Sequence, residues 1–96
     1  MGGCMEQHVA GKKNDKKVYL WGLSTCMWCK KAKKFLEDNS VDYTYEFVDL
    51  LDGEDRDKVL AEIEKHNPAV SFPTIIIDGK CIVGFDEKHL KEALGL

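Results

Sequence analysis

The fold is decided by the stretch VYLWGLSTCMWC, residues 18–29. Its first part, Val18 to Trp21, is a short apolar run that ends at Gly22 and predicts a strand buried on both faces. Ser24 or Thr25 can then cap a helix, in which apolar residues recur at helical spacing on one side and lysines occupy the other. The stretch therefore predicts a strand followed directly by an amphipathic helix. The apolar side of that helix comprises Cys29, Ala32, Phe35 and Leu36, and its lysines are Lys30, Lys31, Lys33 and Lys34.

A second strand-helix unit and a hairpin follow along the chain. Residues 43–50 are aromatic and β-branched enough for a strand, and residues 54–66 show helical spacing before the stop Asn67-Pro68. The pair Asp78-Gly79 is typical of tight hairpin turns, so the strands on either side of it should be antiparallel. The order β-α-β-α-β-β-α predicts an α/β fold with a four-stranded mixed sheet flanked by three helices. The hairpin strands are residues 74–77 and 81–83, and Asp86 caps a final helix that ends at Gly95.

Length and composition limit the class of protein. The chain has 96 residues, 44% of them apolar, so we expect one domain, residues 16–96, after a flexible tail of residues 1–15. A formal net charge of −3 and the lack of a basic stretch interleaved with aromatic residues argue against nucleic acid as a partner. With no signal peptide and no apolar run of about 18 residues, we expect a cytoplasmic monomer that does not bind membranes.

The four cysteines are expected to serve chemistry rather than a disulfide scaffold. Cys26 and Cys29 form the one closely spaced pair. A thiolate is the attacking species in disulfide exchange, and the backbone N–H groups at a helix start, together with Lys30, favour that anion on Cys26. Cys29 lies about one turn further on the apolar side, so it should be the more buried thiol. This asymmetry predicts a thiol-disulfide oxidoreductase in which Cys26 attacks the substrate and Cys29 resolves the mixed disulfide.

A zinc site is the main alternative for a Cys-x-x-Cys pair. Structural zinc usually takes four ligands, and the sequence has neither a second cysteine pair nor a spaced histidine pair, so we predict no metal site. Cys81 is interpreted as a small core residue and Cys4 as a reactive thiol of the tail. Trp28 either contacts a protein partner or packs over its own helix. The lysine row is either a solvated face or a surface that steers acidic partners toward Cys26.

Several segments besides the cysteine pair resemble the glutaredoxin family of the thioredoxin fold. The similarity spans Lys17 to Leu94 and rests on residues 18–21, Cys26-Met27-Trp28-Cys29, Phe72-Pro73-Thr74 and Val83-Gly84-Phe85-Asp86. The resemblance implies that Pro73 forms a cis peptide bond beside the active-site sulfurs and that the Phe72 backbone hydrogen-bonds to an extended substrate segment. The predicted substrate-binding residues are Thr25, Met27, Trp28, Phe72, Pro73, Gly84, Phe85 and Asp86.

Three positions depart from the members of the family that use glutathione. Those members commonly carry Pro-Tyr between the cysteines, a lysine three residues before the first cysteine, and Gly-Gly before an acidic residue. This chain has Met27-Trp28, Leu23 and Gly84-Phe85 at these places. The Gly-Phe version resembles redoxins that are reduced by a flavin- or iron-sulfur-containing reductase. The expected partners are therefore a disulfide-containing protein and, as the electron source, a reductase or glutathione, with no cofactor required.

The resemblance also leaves a hypothesis of another class. In some relatives two chains share an iron-sulfur cluster through the first cysteine, and glutathione can supply the remaining thiolates. A dimer that binds a cluster through Cys26 is therefore the alternative to a dithiol that donates electrons to protein disulfides.

Overall fold

The computed structural model of the protein describes residues 6–96, which form a mixed β-sheet with helices on both faces. Within these residues five strands and three α-helices occur, with a short 3-10 helix after the third strand. The strands are β1 (Gln7–Val9), β2 (Val18–Gly22), β3 (Tyr43–Phe47), β4 (Thr74–Ile77) and β5 (Lys80–Val83). The α-helices are α1 (Met27–Asp38), α2 (Gly53–His66) and α3 (Glu87–Leu94), and the 3-10 helix is Val48–Leu50.

The strand that precedes the cysteines lies at the centre of the sheet, whose order is β1-β3-β2-β4-β5. β2 runs parallel to β3 and antiparallel to β4, and β4 runs antiparallel to β5. All five residues of β2 are buried, as expected for a strand that is covered on both faces. The predicted α/β fold of the thioredoxin type, with the order β-α-β-α-β-β-α from β2 onward, is confirmed.

The two faces of the sheet carry separate apolar clusters. Helices α1 and α3 cover the face formed by Val18 and Leu20, whereas α2 covers the face formed by Tyr19 and Trp21. Alternate residues of β2 thus contact different helices, because side chains alternate across a strand. The first cluster also contains Ala32, Phe35, Leu36, Leu90 and Leu94, and the second also contains Val59 and Ile63.

The sheet has one strand more than predicted. The additional strand, β1, lies within residues 1–15, where the sequence predicts no element, and it pairs antiparallel with β3 from Gln7↔Tyr45 to Val9↔Tyr43. Three residues with the sequence Gln-His-Val are too few to show the two-residue period by which a strand is recognised. Cys4, predicted to be a reactive thiol, lies outside the described residues.

The remaining local predictions concern turns and boundaries. The hairpin turn is confirmed, since Asp78 and Gly79 have positive φ angles of 49° and 84°. Asp86 caps α3 as predicted, because its side chain accepts a hydrogen bond from the His89 N–H at 3.2 Å. The strand predicted for residues 43–50 ends at Phe47, since the next three residues form the 3-10 helix.

Within residues 6–96 no helix has both the length and the apolar character that a membrane span requires.

Candidate functional site

Cys26 lies between β2 and α1, where it is the N-cap residue of the helix. Its Sγ accepts a hydrogen bond from the backbone N–H of Cys29 at 3.2 Å. The predicted cap at Ser24 or Thr25 is wrong, because a turn closed by Cys26 N and Leu23 O, at 3.1 Å, places both residues before the helix start. The Cys26 sulfur therefore takes the place of the usual capping oxygen, where the unpaired N–H groups of the helix favour an anion.

Cys29 is the buried member of the pair. It is 1% exposed, whereas Cys26 is partly exposed, and both are free thiols. Burial, together with the hydrogen bond to Cys26, raises the pKa of the Cys29 thiol to about 12. A Cβ atom added at Gly22 of β2 would lie 3.0 Å from the Cys29 Cβ and 3.1 Å from its Sγ. Gly22 therefore allows the close approach of α1 to β2 that buries the second sulfur.

An apolar cleft of about 270 Å³ opens beside Trp28, the residue that precedes Cys29. The Phe72–Pro73 peptide bond at its wall is cis, as the family resemblance implies. The Pro73 carbonyl accepts a hydrogen bond from the Gly84 N–H at 2.8 Å, which ties the loop before β4 to the end of β5. Five of the eight predicted substrate-binding residues therefore meet in this active-site cleft, which is lined by Trp28, Phe72, Pro73, Gly84 and Phe85.

The other three predicted substrate-binding residues lie around the cleft rather than in its lining. Thr25 and Met27 are exposed, Met27 by 67% of its surface. Asp86 faces His89, whose backbone N–H and imidazole Nδ1 both contact its carboxylate. The hydrogen bond from the His89 side chain lowers the pKa of Asp86, so this carboxyl group is ionised at neutral pH. A part for these three residues in substrate binding stays a prediction.

A carboxylate that no sequence motif marks braces the loop before Cys26. Asp49, in the 3-10 helix, accepts hydrogen bonds from the Ser24 backbone N–H at 2.8 Å and from the Ser24 hydroxyl at 2.5 Å. The hydroxyl hydrogen bond holds the pKa of Asp49 below its ordinary value. The two residues are 25 positions apart, so neither helical nor strand spacing in the sequence could signal the contact.

A buried amide shapes the loop that carries Pro73. Asn67 is 5% exposed, and its Nδ2 lies 3.0 Å from Thr74 Oγ1 and 3.2 Å from the Ser71 carbonyl oxygen. The Thr74 hydroxyl donates in turn to the same carbonyl at 2.7 Å. The Asn67-Pro68 pair correctly signals the end of α2, but a stop signal does not show that the amide points inward.

The third described cysteine, Cys81, lies in β5 and is partly exposed rather than a full core residue. Its side chain packs against the apolar cluster beneath α2, and the burial that results raises the pKa of its thiol. Within residues 6–96 no group of three or more His, Cys, Asp or Glu side chains is arranged to hold a metal ion.

Residues 17–82 match the sequence model of one family, described as Glutaredoxin. The matched segment is more than half of the chain and contains both cysteines of the site together with Phe72 and Pro73. The chain belongs to the glutaredoxin family. It is a redoxin of the thiol-disulfide oxidoreductase type, with the Cys26–Cys29 pair at the start of α1.

Individual glutaredoxins and their relatives are similar over most of the chain. The crystal structure of methanoredoxin from Methanosarcina acetivorans is 50% identical, with a TM-score of 0.83 over 86% of this chain and 88% of that chain. The glutaredoxin from Methanosarcina mazei Go1 is 48% identical, with a TM-score of 0.87 over 96% and 89% of the two chains. An uncharacterized glutaredoxin-like 8.6 kDa protein in the rubredoxin operon of Clostridium pasteurianum is 31% identical over 77 residues, which cover 80% of this chain and 96% of that protein.

Two positions at which this glutaredoxin departs from glutathione-using members are occupied by packed apolar side chains. Leu23, in the place of a lysine, packs against the cluster beneath α2. Phe85, in the place of a glycine, packs edge-on against Phe35 with 5.9 Å between the ring centroids. Neither side chain offers a polar group to a charged tripeptide such as glutathione.

Proposed function

We propose that this glutaredoxin is a cytoplasmic dithiol that reduces protein disulfides, with Cys26 as the nucleophile and Cys29 as the resolving thiol. The observation that carries the proposal is the difference between the two sulfurs at the start of α1. Cys26 is partly exposed, and its Sγ accepts a hydrogen bond from the backbone N–H of Cys29. Cys29 is 1% exposed, and burial raises the pKa of its thiol to about 12. The partly exposed sulfur can reach a substrate, and the buried thiol keeps its proton until a mixed disulfide has formed next to it.

The proposed reaction consists of two thiol-disulfide exchanges. The Cys26 thiolate attacks one sulfur of the substrate disulfide, forms a mixed disulfide and releases the other sulfur as a thiolate, which takes a proton from water. Cys29 then loses its proton to solvent and attacks the Cys26 Sγ. This attack expels the second substrate thiolate, which is protonated in turn. Two electrons pass to the substrate and a Cys26–Cys29 disulfide remains, so the exchange itself requires no prosthetic group.

The lining of the active-site cleft supports a protein as the substrate. Trp28 is 56% exposed at its rim, and Phe72 and Phe85 extend the apolar surface. An extended segment with an apolar side chain beside its disulfide would bury that surface, and aromatic residues contribute strongly to interfaces. This arrangement favours contact with a partner over the alternative role of Trp28 in packing. The Phe72 backbone, next to the cis bond, is the group we propose to pair with the segment.

A protein reductase is the electron source that we propose for the oxidised protein. Leu23 and Phe85 are packed apolar side chains at two positions where glutathione-using members have other residues, and this supports a protein reductase over glutathione as the electron source. The measurement is the rate at which thiols appear when oxidised protein receives either glutathione with its reductase or a thioredoxin-type reductase. The second system should act faster, and faster reduction by glutathione would contradict this part of the proposal.

The assignment of the two sulfurs is tested by single substitutions. Cys26→Ser should abolish the reduction of a protein disulfide, since no other described thiol lies at a helix start. Cys29→Ser should accumulate a mixed disulfide that mass spectrometry detects as an adduct on Cys26. Cys81→Ser is the matched control and should retain activity. Full activity of Cys26→Ser would contradict the assignment, and bound iron after anaerobic purification would instead support the cluster-binding dimer.

A further inference from the structure

The helix that carries the active site is basic, although the chain as a whole has a formal net charge of −3. α1 contains four lysines against two acidic residues, which gives it a net charge of +2. α2, on the opposite face of the sheet, contains five acidic residues against three of Lys and Arg, which gives −2. Positive charge is therefore concentrated on the face of the molecule where the cysteines lie.

Two of the four lysines are paired with carboxylates of their own helix. The Lys33 Nζ lies 2.9 Å from a Glu37 carboxylate oxygen, and the Lys34 Nζ lies 3.6 Å from an Asp38 carboxylate oxygen. Such pairs, four residues apart, are a common feature of solvated helix faces. The charges of Lys33 and Lys34 are thus partly offset within α1, which makes these two lysines weaker candidates for an acidic partner.

Lys31 has a different environment. Its Nζ lies 4.5 Å from the centroid of the Trp28 ring, which is a cation–π contact. Both side chains are exposed, and Trp28 also lines the active-site cleft. The Trp28 ring therefore holds a positive charge at the edge of the cleft without neutralising it.

A second hollow, a groove of about 230 Å³, lies between α1 and α3 and has Lys31 in its lining. Phe85 lines both hollows, so the groove lies next to the active-site cleft. The two acidic residues of the groove already have partners, since Asp38 pairs with Lys34 at 3.6 Å and Glu87 pairs with Lys91 at 3.3 Å. The groove therefore presents a ligand with the apolar surface of Phe35 and Phe85 beside the Lys31 side chain. The lining residues of this α1–α3 groove are Lys31, Lys34, Phe35, Asp38, Phe85 and Glu87.

We propose that the protein substrate docks as an extended segment that places an apolar side chain in the active-site cleft and an acidic side chain against Lys31. The inference rests on the proposed function and names its substrate class, namely disulfides flanked by an apolar residue and, two positions further along, an acidic residue, since side chains i and i+2 of an extended segment face the same side. The Trp28 ring restricts the Lys31 side chain before binding, so less conformational entropy is lost when the carboxylate arrives. The positive charge also accelerates the encounter with an acidic segment.

The test uses three synthetic peptides with the same internal disulfide and the same apolar residue beside one cysteine. They differ only at the second position beyond the apolar residue, on the same side of the extended chain, which is Glu, Gln or Lys. The reduced full-length protein is mixed with each oxidised peptide at low ionic strength, and the second-order rate constant of thiol exchange is measured. The Glu peptide should react about threefold to tenfold faster than the Lys peptide, and the difference should shrink at high salt, as expected for an exposed charge pair.

Charge reversal identifies the residue responsible. Lys31→Glu should invert the order of the Glu and Lys peptides. Lys65→Glu makes the same change of charge on α2, where Lys65 pairs with Glu62 at 3.3 Å, and should preserve the wild-type order. Equal rates for the Glu and Lys peptides, or a wild-type order in Lys31→Glu, would overturn the docking proposal alone. Failure of the wild-type protein to reduce the Gln peptide would overturn the proposed function as well.

Discussion

The Cys29 thiol binds its proton more tightly in the folded protein than in the unfolded chain. Burial is the main cause that raises its pKa from an ordinary 9.0 to about 12. A raised folded-state pKa stabilises the fold fully below the unfolded pKa, and that contribution is lost as the pH rises through the folded pKa. The free energy of unfolding of the reduced protein should therefore fall between pH 9 and pH 12, with this thiol contributing up to about 1.4 kcal/mol per pH unit.

Denaturant unfolding of the reduced protein between about pH 8 and about pH 10.5 measures this slope. Cys29→Ala should show a shallower slope than the wild type. Cys81→Ala removes a thiol whose pKa is also raised but which is only partly buried, so it should change the slope less than Cys29→Ala does. The pKa values of Tyr19 and Tyr43 are also raised by burial, but both tyrosines are present in all three proteins and their contributions cancel. Equal slopes for the wild type and Cys29→Ala would show that the thiol is not held in its protonated form by the fold.

Between α2 and β4, the loop that carries Pro73 depends on one buried amide. Asn67→Ala removes hydrogen bonds to Ser71 and Thr74 and leaves the buried Thr74 Oγ1 without its amide donor, although the Thr74 hydroxyl still donates to the Ser71 carbonyl. Loss of a buried partner costs about 1–3 kcal/mol, so the free energy of unfolding should fall by that amount. Because Phe72 and Pro73 lie within this loop, KM for a peptide disulfide should also rise, while kcat changes less.

Asn39→Ala is the matched control for this effect on substrate binding. The Asn39 side-chain amide donates to the Phe35 carbonyl at 2.8 Å, at the far end of α1. Its removal should lower stability without raising KM. A rise in KM of equal size in both variants would show that the effect reflects general destabilisation rather than the shape of the loop.

Elements with a local signal could be predicted from the sequence, and contacts between distant residues could not. The Asp78-Gly79 turn and the apolar face of α1 depend on residues within a few positions of each other, so their patterns are visible in the sequence. The pairing of Cys26 with Cys29 is equally local. The brace from Asp49 to Ser24 depends instead on how the strands bring separate segments together. That arrangement is decided by packing and has no signature in either segment.

At the scale of the whole molecule, β1 covers what would otherwise be an open edge of the sheet. Its one neighbour in the sheet is β3. β3 also carries two partly exposed aromatic residues, Tyr45 and Phe47. Deletion of residues 1–10 would expose the N–H and C=O groups of β3, and unpaired edges promote pairing between molecules. The shortened protein should therefore self-associate as its concentration rises, which sedimentation velocity can measure.

His8→Ala provides the control for this deletion. It removes the contact between His8 Nε2 and an Asp42 carboxylate oxygen, at 2.6 Å, but keeps the backbone of β1 in place. This variant should sediment at the same rate as the full chain. Self-association of His8→Ala to the same extent would mean that the contact between His8 and Asp42, and not the covered edge, prevents it.

The two tryptophans of the chain lie in contrasting surroundings, which gives the protein a built-in optical signal. Trp21 is fully buried beneath α2, whereas Trp28 is 56% exposed between the two cysteines of the site. Indole fluorescence depends on solvent and on nearby sulfur, so Trp28 emission would respond to a mixed disulfide while Trp21 supplies a constant reference. Attack by Cys26 and resolution by Cys29 can thus be timed separately by stopped-flow fluorescence, without an attached dye.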